Sequence, residues 1–190
     1  GISAGLKSKG ALDMGFIFSD TLCDVEALFT LNKFQAAPLK HFQRYEKGFK
    51  TNFILINSKN ANALTGQKGI DDINDIFNSL HYKVTNPIMS STGIIGNRLP
   101  IQKLITGANL FDLTSKNGEN FAKAIMTTDA YAKKCFYEVK LENGDRFKIG
   151  AVAKGAGMIN PNLATMLCFI CTDANVPRSD MKKLLEVNAQ

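Results

Sequence analysis

Residues able to do chemistry gather around two glycine-containing stretches of this sequence. The first is Ser90-Ser91-Thr92-Gly93, directly after the apolar run Pro87-Ile88-Met89. A hydroxyl and a backbone N–H can converge there on a developing oxyanion, and the same residues equally describe an ordinary glycine turn. The second is Lys154-Gly155-Ala156-Gly157-Met158-Ile159-Asn160-Pro161-Asn162-Leu163-Ala164-Thr165-Met166-Leu167. Its Thr165 carries a hydroxyl, a weak nucleophile until a base takes its proton. Read by itself, a β-branched residue in that place simply opens a strand. Lys154 ends an apolar strand, where a lysine is either solvated or a point charge for a carboxylate. Thr127 and Thr128 offer two adjacent hydroxyls, and spacing does not choose between them. A dinucleotide fingerprint fails here: its third glycine would fall at Asn160, Pro161 follows where a helix should be under way, and no Gly-Lys-Ser/Thr is present.

Cys168 and Cys171 form a Cys-x-x-Cys pair inside the apolar run Met166 to Cys171, which reads as a buried strand. Positions three apart on a strand point to opposite faces. With only His41 and His81 as histidines and no second cysteine pair, no zinc set is completed. The expectation is two buried, small apolar side chains, no metal and a reducing compartment. Hydrophobic residues at 45% and charged residues at 21% exclude a disordered chain. No apolar run is long enough to span a bilayer. Gly1-Ile2-Ser3-Ala4-Gly5 lacks the basic start and apolar core of a signal peptide, so a cytoplasmic protein is expected. The net charge of +6 includes a basic, aromatic stretch from His41 to Lys50, the interleaving a nucleic-acid surface would show. Arginine is sparse and no recognition module is visible, so a loop or strand edge with inward-packed aromatics is expected, and the charge suits carboxylate substrates.

These residues need elements to hold them. Asp13 to Phe18 and Val25 to Leu31 read as early strands, and Phe53-Ile54-Leu55-Ile56 as a short strand covered on both faces. A polar loop from Asn57 to Gly66 follows. Ile70, Ile73, Ile76, Phe77 and Leu80 recur at helical spacing. Pro100 opens a helix bearing Ile101, Leu104 and Ile105, and Phe121, Ala124 and Ile125 mark another. Tyr137, Val139 and Leu141 alternate with polar residues, Asn143-Gly144 turns the chain, and Phe147 and Ile149 return, a hairpin whose second strand runs on to Lys154. Ser179 and Asp180 start a helix with Met181, Leu184, Leu185 and Val187. The order predicts an α/β chain with hairpins, hence mixed sheets.

The segment from Lys154 to Leu167 resembles the cleavage-site signature of the ornithine acetyltransferase (glutamate N-acetyltransferase) family. Four further stretches resemble the same family in the same order: Phe29 to Lys33 with Ala36-Ala37-Pro38, Asn57 to Ala63, Ser91 to Gly96, and Ala124 to Asp129. Departures are Lys59 and Leu64 in the Asn-rich loop, Leu163 in place of a usual Met, and Ala130 in place of a usual Thr.

The resemblance implies a layered α/β sandwich with mixed sheets and flanking helices, of the N-terminal-nucleophile kind, that cuts itself between Ala164 and Thr165. Residues 1–164 would form one α/β segment, and 165–190 the start of a second chain that begins with the nucleophile. A freed Thr165 owns an α-amine with a reference pKa of about 7.7–8.0, able to serve as its local base. Thr92 and Gly93 are implied as the oxyanion hole, and Thr127, Lys154 and Thr165 as substrate contacts. Asp129 is read from its own place as capping or bracing the turn. The implied reaction moves an acetyl group from N-acetylornithine to glutamate, with acetyl-CoA as a further donor in some members and no cofactor. The implied partner is the chain's own second piece, in a dimer of such pairs. A related self-processed peptidase or amidase, and a basic nucleic-acid-binding module, are the alternatives.

Overall fold

The computed structural model describes residues 1–155 and 166–189, and these form two compact units. The first comprises Gly1–Val25 and Asn32–Thr127. Its sheet holds β1 (Met14–Asp24), β2 (Lys50–Asn57) and β3 (Ile88–Ser91). β1 runs antiparallel to β2, from Met14 opposite Asn57 to Asp24 opposite Lys50, with an irregularity between Phe18 and Cys23. β3 runs parallel to β2, so the sheet is mixed as expected. Parallel strands need a crossover, and α2 (Gly66–Asn78) supplies it.

Alternation along the strands decides which helix goes where. Met14, Phe53 and Leu55 share one face and bury against Ile70, Ile73 and Ile76 of α2 and against Leu104 and Ala108 of α3 (Ile101–Ala108). The three isoleucines are the apolar stripe read from the sequence, and each such side chain fully buried contributes roughly 1.5–3 kcal/mol. On the opposite face, Gly15 lets α4 (Gly118–Ala124) approach: a Cβ there would lie 2.9 Å from the Phe121 ring. Helices thus flank both faces of this sheet.

A short helix, α1 (Ala37–Phe42), was not expected. Pro38 in its first turn supplies a backbone angle already suited to a helix. The basic, aromatic stretch therefore divides into the end of α1, a turn, and the start of β2. Its rings pack on one another, Phe42 and Tyr45 with centroids 5.2 and 4.5 Å from Phe49. The Tyr45 hydroxyl donates to the Pro87 carbonyl at 2.6 Å, and burial pushes its pKa up to about 12.

The second unit, Glu26–Leu31 with Thr128–Gln190, is an antiparallel sheet of β4 (Lys133–Lys140), β5 (Arg146–Lys154) and β6 (Leu167–Thr172), followed by α5 (Arg178–Asn188). The expected hairpin forms between β4 and β5, with Val139 opposite Phe147 and Tyr137 opposite Ile149. Its loop closes through Leu141 N–H to Asp145 O at 2.8 Å and Gly144 N–H to Leu141 O at 3.0 Å. Only Gly144 takes a positive φ, 92°. That makes a three-residue loop with glycine in the left-handed place, in contrast to the tighter two-residue turn of many Asn-Gly hairpins.

Two expectations are corrected here. Val25 to Leu31 is not a strand: no sheet ladder includes it, and a short apolar segment without a paired neighbour keeps no strand. Instead Glu26 pairs with Arg178 at 2.5 Å, and Leu31 is 87% exposed. The run from Met166 does form a strand, but Cys168 and Cys171 are exposed, as are Cys23 and Cys135. Among the described residues β6 pairs with β5 alone, and its side chains are exposed or at most half-buried. The pair does point to opposite faces: Cys168 stands opposite Ala153 and Cys171 opposite Gly150, three positions along the ladder. Among the described residues no helix is long and apolar enough to cross a membrane.

Candidate active site

β2 and β3 run parallel, so both carboxyl ends open at one edge of the first sheet, the usual place for a site in α/β sheets. Asn57 ends β2 there, fully buried. Its carbonyl accepts the Thr92 N–H at 3.0 Å, its Oδ1 accepts the Ser91 hydroxyl at 2.7 Å, and its Nδ2 donates to Asn60 O at 2.9 Å. One side chain therefore ties the polar loop after β2 to the turn after β3. Because the Thr92 N–H is engaged, any part Thr92 plays at an oxyanion falls to its hydroxyl.

Gly93 follows with φ 130°, a region essentially reserved for glycine. A Cβ there would stand 2.3 Å from the carbonyl carbon and oxygen of Lys59. Ile94 N–H to Lys59 O at 2.8 Å and Ala61 N–H to Ile94 O at 2.9 Å hold the two loops at this distance. Among the described residues no acceptor meets the Gly93 N–H. A hydroxyl beside an amide hydrogen of this kind is the donor pair that an oxyanion hole requires.

The same carboxyl edge anchors the segment leading to Thr127. Ser58, next to Asn57, donates to Ala124 O at 2.6 Å, and Lys7 Nζ donates to Met126 O at 2.7 Å. Thr127 is exposed at the end of this anchored stretch, and Thr128, the first residue of the next segment of the second unit, is exposed as well. Geometry does not choose between them.

In the second unit, Lys154 closes β5 with only 7% of its side chain exposed. Asp129 faces it, 1% exposed, with Oδ2 3.8 Å from Lys154 Nζ. Oδ1 of Asp129 accepts from Lys133 Nζ at 3.1 Å and from Gly155 N–H at 2.8 Å. Asp129 thus braces its turn, as expected, and does more, since it couples that turn to the end of β5. Burial pushes the Lys154 pKa below its ordinary value; Asp129 opposes this and Lys133 adds to it. Lys154 is therefore a buried cation, unlike the solvated strand-end lysine that is the common case.

Ala164 and Thr165 lie outside the described residues. Of the expected site residues, the structure brings Thr92 and Gly93 into one turn and sets Thr127 on a segment anchored at the same edge, while Lys154 belongs to the other unit. Two contributors escaped sequence reasoning, Asn57 and Lys133. Asn57 stood only as the first residue of the polar loop and of one family-like stretch, with no role attached, and nothing in the spacing of Lys133 marked it. Among the described residues no group of three His, Cys, Asp or Glu side chains could hold a metal.

Comparison with known proteins matches residues 1–190 to the ArgJ family. The arginine biosynthesis bifunctional protein ArgJ of Wolinella succinogenes is 51% identical over 189 residues, covering 98% of this chain and 48% of that protein. The protein of the same name from Dehalococcoides mccartyi is 43% identical over 192 residues, covering 97% and 47%. This chain spans about half the length of the curated relatives it matches. A crystal structure of the arginine biosynthesis bifunctional protein argJ from Bacillus halodurans aligns with TM-score 0.76 at 35% identity, over 88% of each chain. The ornithine acetyltransferase of Mycobacterium tuberculosis, solved with ornithine, aligns with TM-score 0.71 at 31% identity, over 88% of this chain and 90% of that one. With its mixed α/β architecture, its Thr92–Gly93 turn and a family match that runs through Thr165, this chain belongs to the ArgJ family.

Proposed function

We propose that the protein containing this chain is a self-cleaving acetyltransferase that moves an acetyl group from N-acetylornithine to glutamate through Thr165. The observation that carries this reading is the family match over all 190 residues, which includes the run from Lys154 to Leu167. Two relatives carry arginine biosynthesis in their names, and a solved one holds ornithine.

The chemistry follows from one residue. Thr165 Oγ attacks the carbonyl carbon of Ala164, the hydroxyl proton passes to the departing nitrogen, and the peptide C–N bond breaks to leave an ester and the free amine. Water then opens the ester, leaving the Ala164 carboxylate and the Thr165 hydroxyl. In the transfer, the α-amine takes the hydroxyl proton as Oγ attacks the acetyl carbonyl of N-acetylornithine. The α-amine passes that proton to the leaving nitrogen, ornithine departs as the amine, and an acetyl ester remains on Thr165. The glutamate amine attacks that ester, N-acetylglutamate departs, and Oγ recovers its proton. The Thr92 hydroxyl and the Gly93 N–H stabilise the tetrahedral oxyanions, with one such donor worth about a hundred- to a thousand-fold in rate. Lys154 meets a substrate carboxylate, and Thr127 contacts the same substrate.

Cleavage divides the protein into residues 1–164 and a second piece that starts at Thr165 and stays bound, in a dimer of such pairs. The uncovered apolar side chains Phe136, Tyr137 and Ile170, and an α5 with no buried residue, support a partner surface for the remainder of the protein. Four free, exposed cysteines suit the reducing cytoplasm.

The test is intact mass of the full-length protein, wild type beside Thr165→Ala. Two fragments are expected from the wild type and one uncut chain from the variant. A wild type that stays whole under native conditions ends the self-processing claim. Incubation with N-acetylornithine should add an acetyl group to Thr165, and added glutamate should remove it as N-acetylglutamate. Release of acetate with no acceptor amine would mark an amidase instead.

A further inference from the structure

We propose that Asp129 is a positioning residue whose single buried carboxylate holds the Lys154 ammonium for a substrate carboxylate and fixes the direction in which the chain leaves β5 at Gly155, with Lys133 balancing it from the other side. The inference rests on the functional reading above and deepens it.

The geometry is that of a two-way clamp. Oδ2 of Asp129 faces Lys154 Nζ at 3.8 Å, and Oδ1 takes both Lys133 Nζ at 3.1 Å and the Gly155 N–H at 2.8 Å. A carboxylate with 1% of its side chain exposed persists only when such donors replace its water. Lys133 is 34% exposed and Lys154 7%. An incoming carboxylate that reaches the Lys154 ammonium is therefore desolvated there and strongly held. The Gly155 bond acts on a different step. It sets the backbone at the last described residue before the segment bearing the Ala164–Thr165 bond, so the same clamp bears on self-cleavage and on substrate binding.

Charge neighbours give the proposal a sign. Asp129, on the turn before β4, favours the Lys154 ammonium, and Lys133 on β4 disfavours it. On β6 the ladder partner of Lys154 is the apolar Leu167, and Lys134 on β4 stands opposite Val152, two positions away along β5. Loss of the Asp129 charge must then lower the Lys154 pKa, and loss of the Lys133 charge must raise it.

The experiment uses the full-length protein as wild type, Asp129→Asn and Lys133→Met. Acetyl transfer from N-acetylornithine is followed across pH. Activity rises with pH as the Thr165 amine deprotonates, near its reference value of about 7.7–8.0, and falls at higher pH as Lys154 does. Asp129→Asn should lower kcat/KM about a hundred-fold, mainly through KM, as expected for a misplaced binding group. It should also slow self-cleavage and move the basic limb to lower pH, while Lys133→Met moves that limb to higher pH. NMR titration of the Lys154 ε-methylene in the same proteins should shift in the same two directions, independent of turnover. Limbs and titrations that stay at the wild-type pH, or that shift in the same direction in both variants, overturn the proposal. If Asp129→Asn fails to fold, an unmoved or lowered Lys154 titration in Lys133→Met overturns it alone. Failure of the wild type to make N-acetylglutamate would instead defeat the functional reading, and the NMR titration would still judge the clamp.

Discussion

Replacing Gly93 by alanine separates a chemical role of this turn from a structural one. An added Cβ would stand 2.3 Å from the Lys59 carbonyl, 1.1 Å short of the 3.4 Å at which ordinary contact begins. The obstacle is backbone held by two inter-loop hydrogen bonds, so the Gly93 turn is the part that must give, by about 1 Å. A displacement of that size in a catalytic group can cost about a hundred-fold in rate, and outright loss of an oxyanion donor about a hundred- to a thousand-fold. The stability cost is smaller: a non-glycine residue in this φ region costs about 1–3 kcal/mol, against a typical folding stability of about 5–15 kcal/mol. The variant should therefore stay folded. Gly96 provides the control, since it too has positive φ, 87°, but a Cβ there meets nothing within 4 Å. Gly96→Ala carries comparable backbone strain without moving the turn. Measured in the full-length enzyme, the rate of acetyl-adduct formation on Thr165 should fall at least a hundred-fold for Gly93→Ala and by less than about tenfold for Gly96→Ala. Thermal melts should show similar losses for both. A folded Gly93→Ala protein that acylates within about threefold of wild type would refute the oxyanion assignment.

Two further outcomes follow from the same structure. His41 is buried in α1, with Nε2 3.2 Å from Asn74 Oδ1, no partner for Nδ1 among the described residues, and Arg44, Tyr45 and Phe77 around it. Burial lowers its pKa below the ordinary 6.5. The unfolded chain then binds the proton more readily, so the stability His41 contributes is complete above pH 6.5 and is lost as pH falls through the lower, folded value. Melting temperature against pH should bend downward below 6.5 in the wild type and bend less in His41→Gln; equal curves would contradict this. Lys59 holds a φ of 91°, where a side chain is strained. Lys59→Gly should raise stability by about 1 kcal/mol in denaturant melts without slowing catalysis, since it keeps the backbone carbonyl that abuts Gly93.

Much of the frame was readable before any coordinates. The Ile70, Ile73 and Ile76 stripe fell on the buried face of α2, Pro100 sits at the start of α3, and Asn143-Gly144 marked the hairpin, because helix periodicity, proline and glycine act through local backbone sterics. Helix α1 was missed because its six residues are too few to show a period. Val25 to Leu31 was misread because apolar, branched residues fit a strand only where a neighbour offers hydrogen bonds. The exposed cysteines show the same limit: the sequence predicts a strand, while burial depends on what covers its faces.

The sequence by itself carried the resemblance to the family, the stretch around Thr165 where cleavage is proposed, and the turn that holds Thr92 and Gly93. The tertiary structure alone decided that Asn57 locks that turn, that Gly93 is pressed against Lys59 with its N–H left over among the described residues, and that one buried carboxylate holds two lysines and the Gly155 amide. The reason is physical. Propensity and motif are properties of neighbouring residues, whereas desolvation, close approach and charge pairing join groups far apart in the chain, 34 residues between Asn57 and Ser91 and 25 between Asp129 and Lys154.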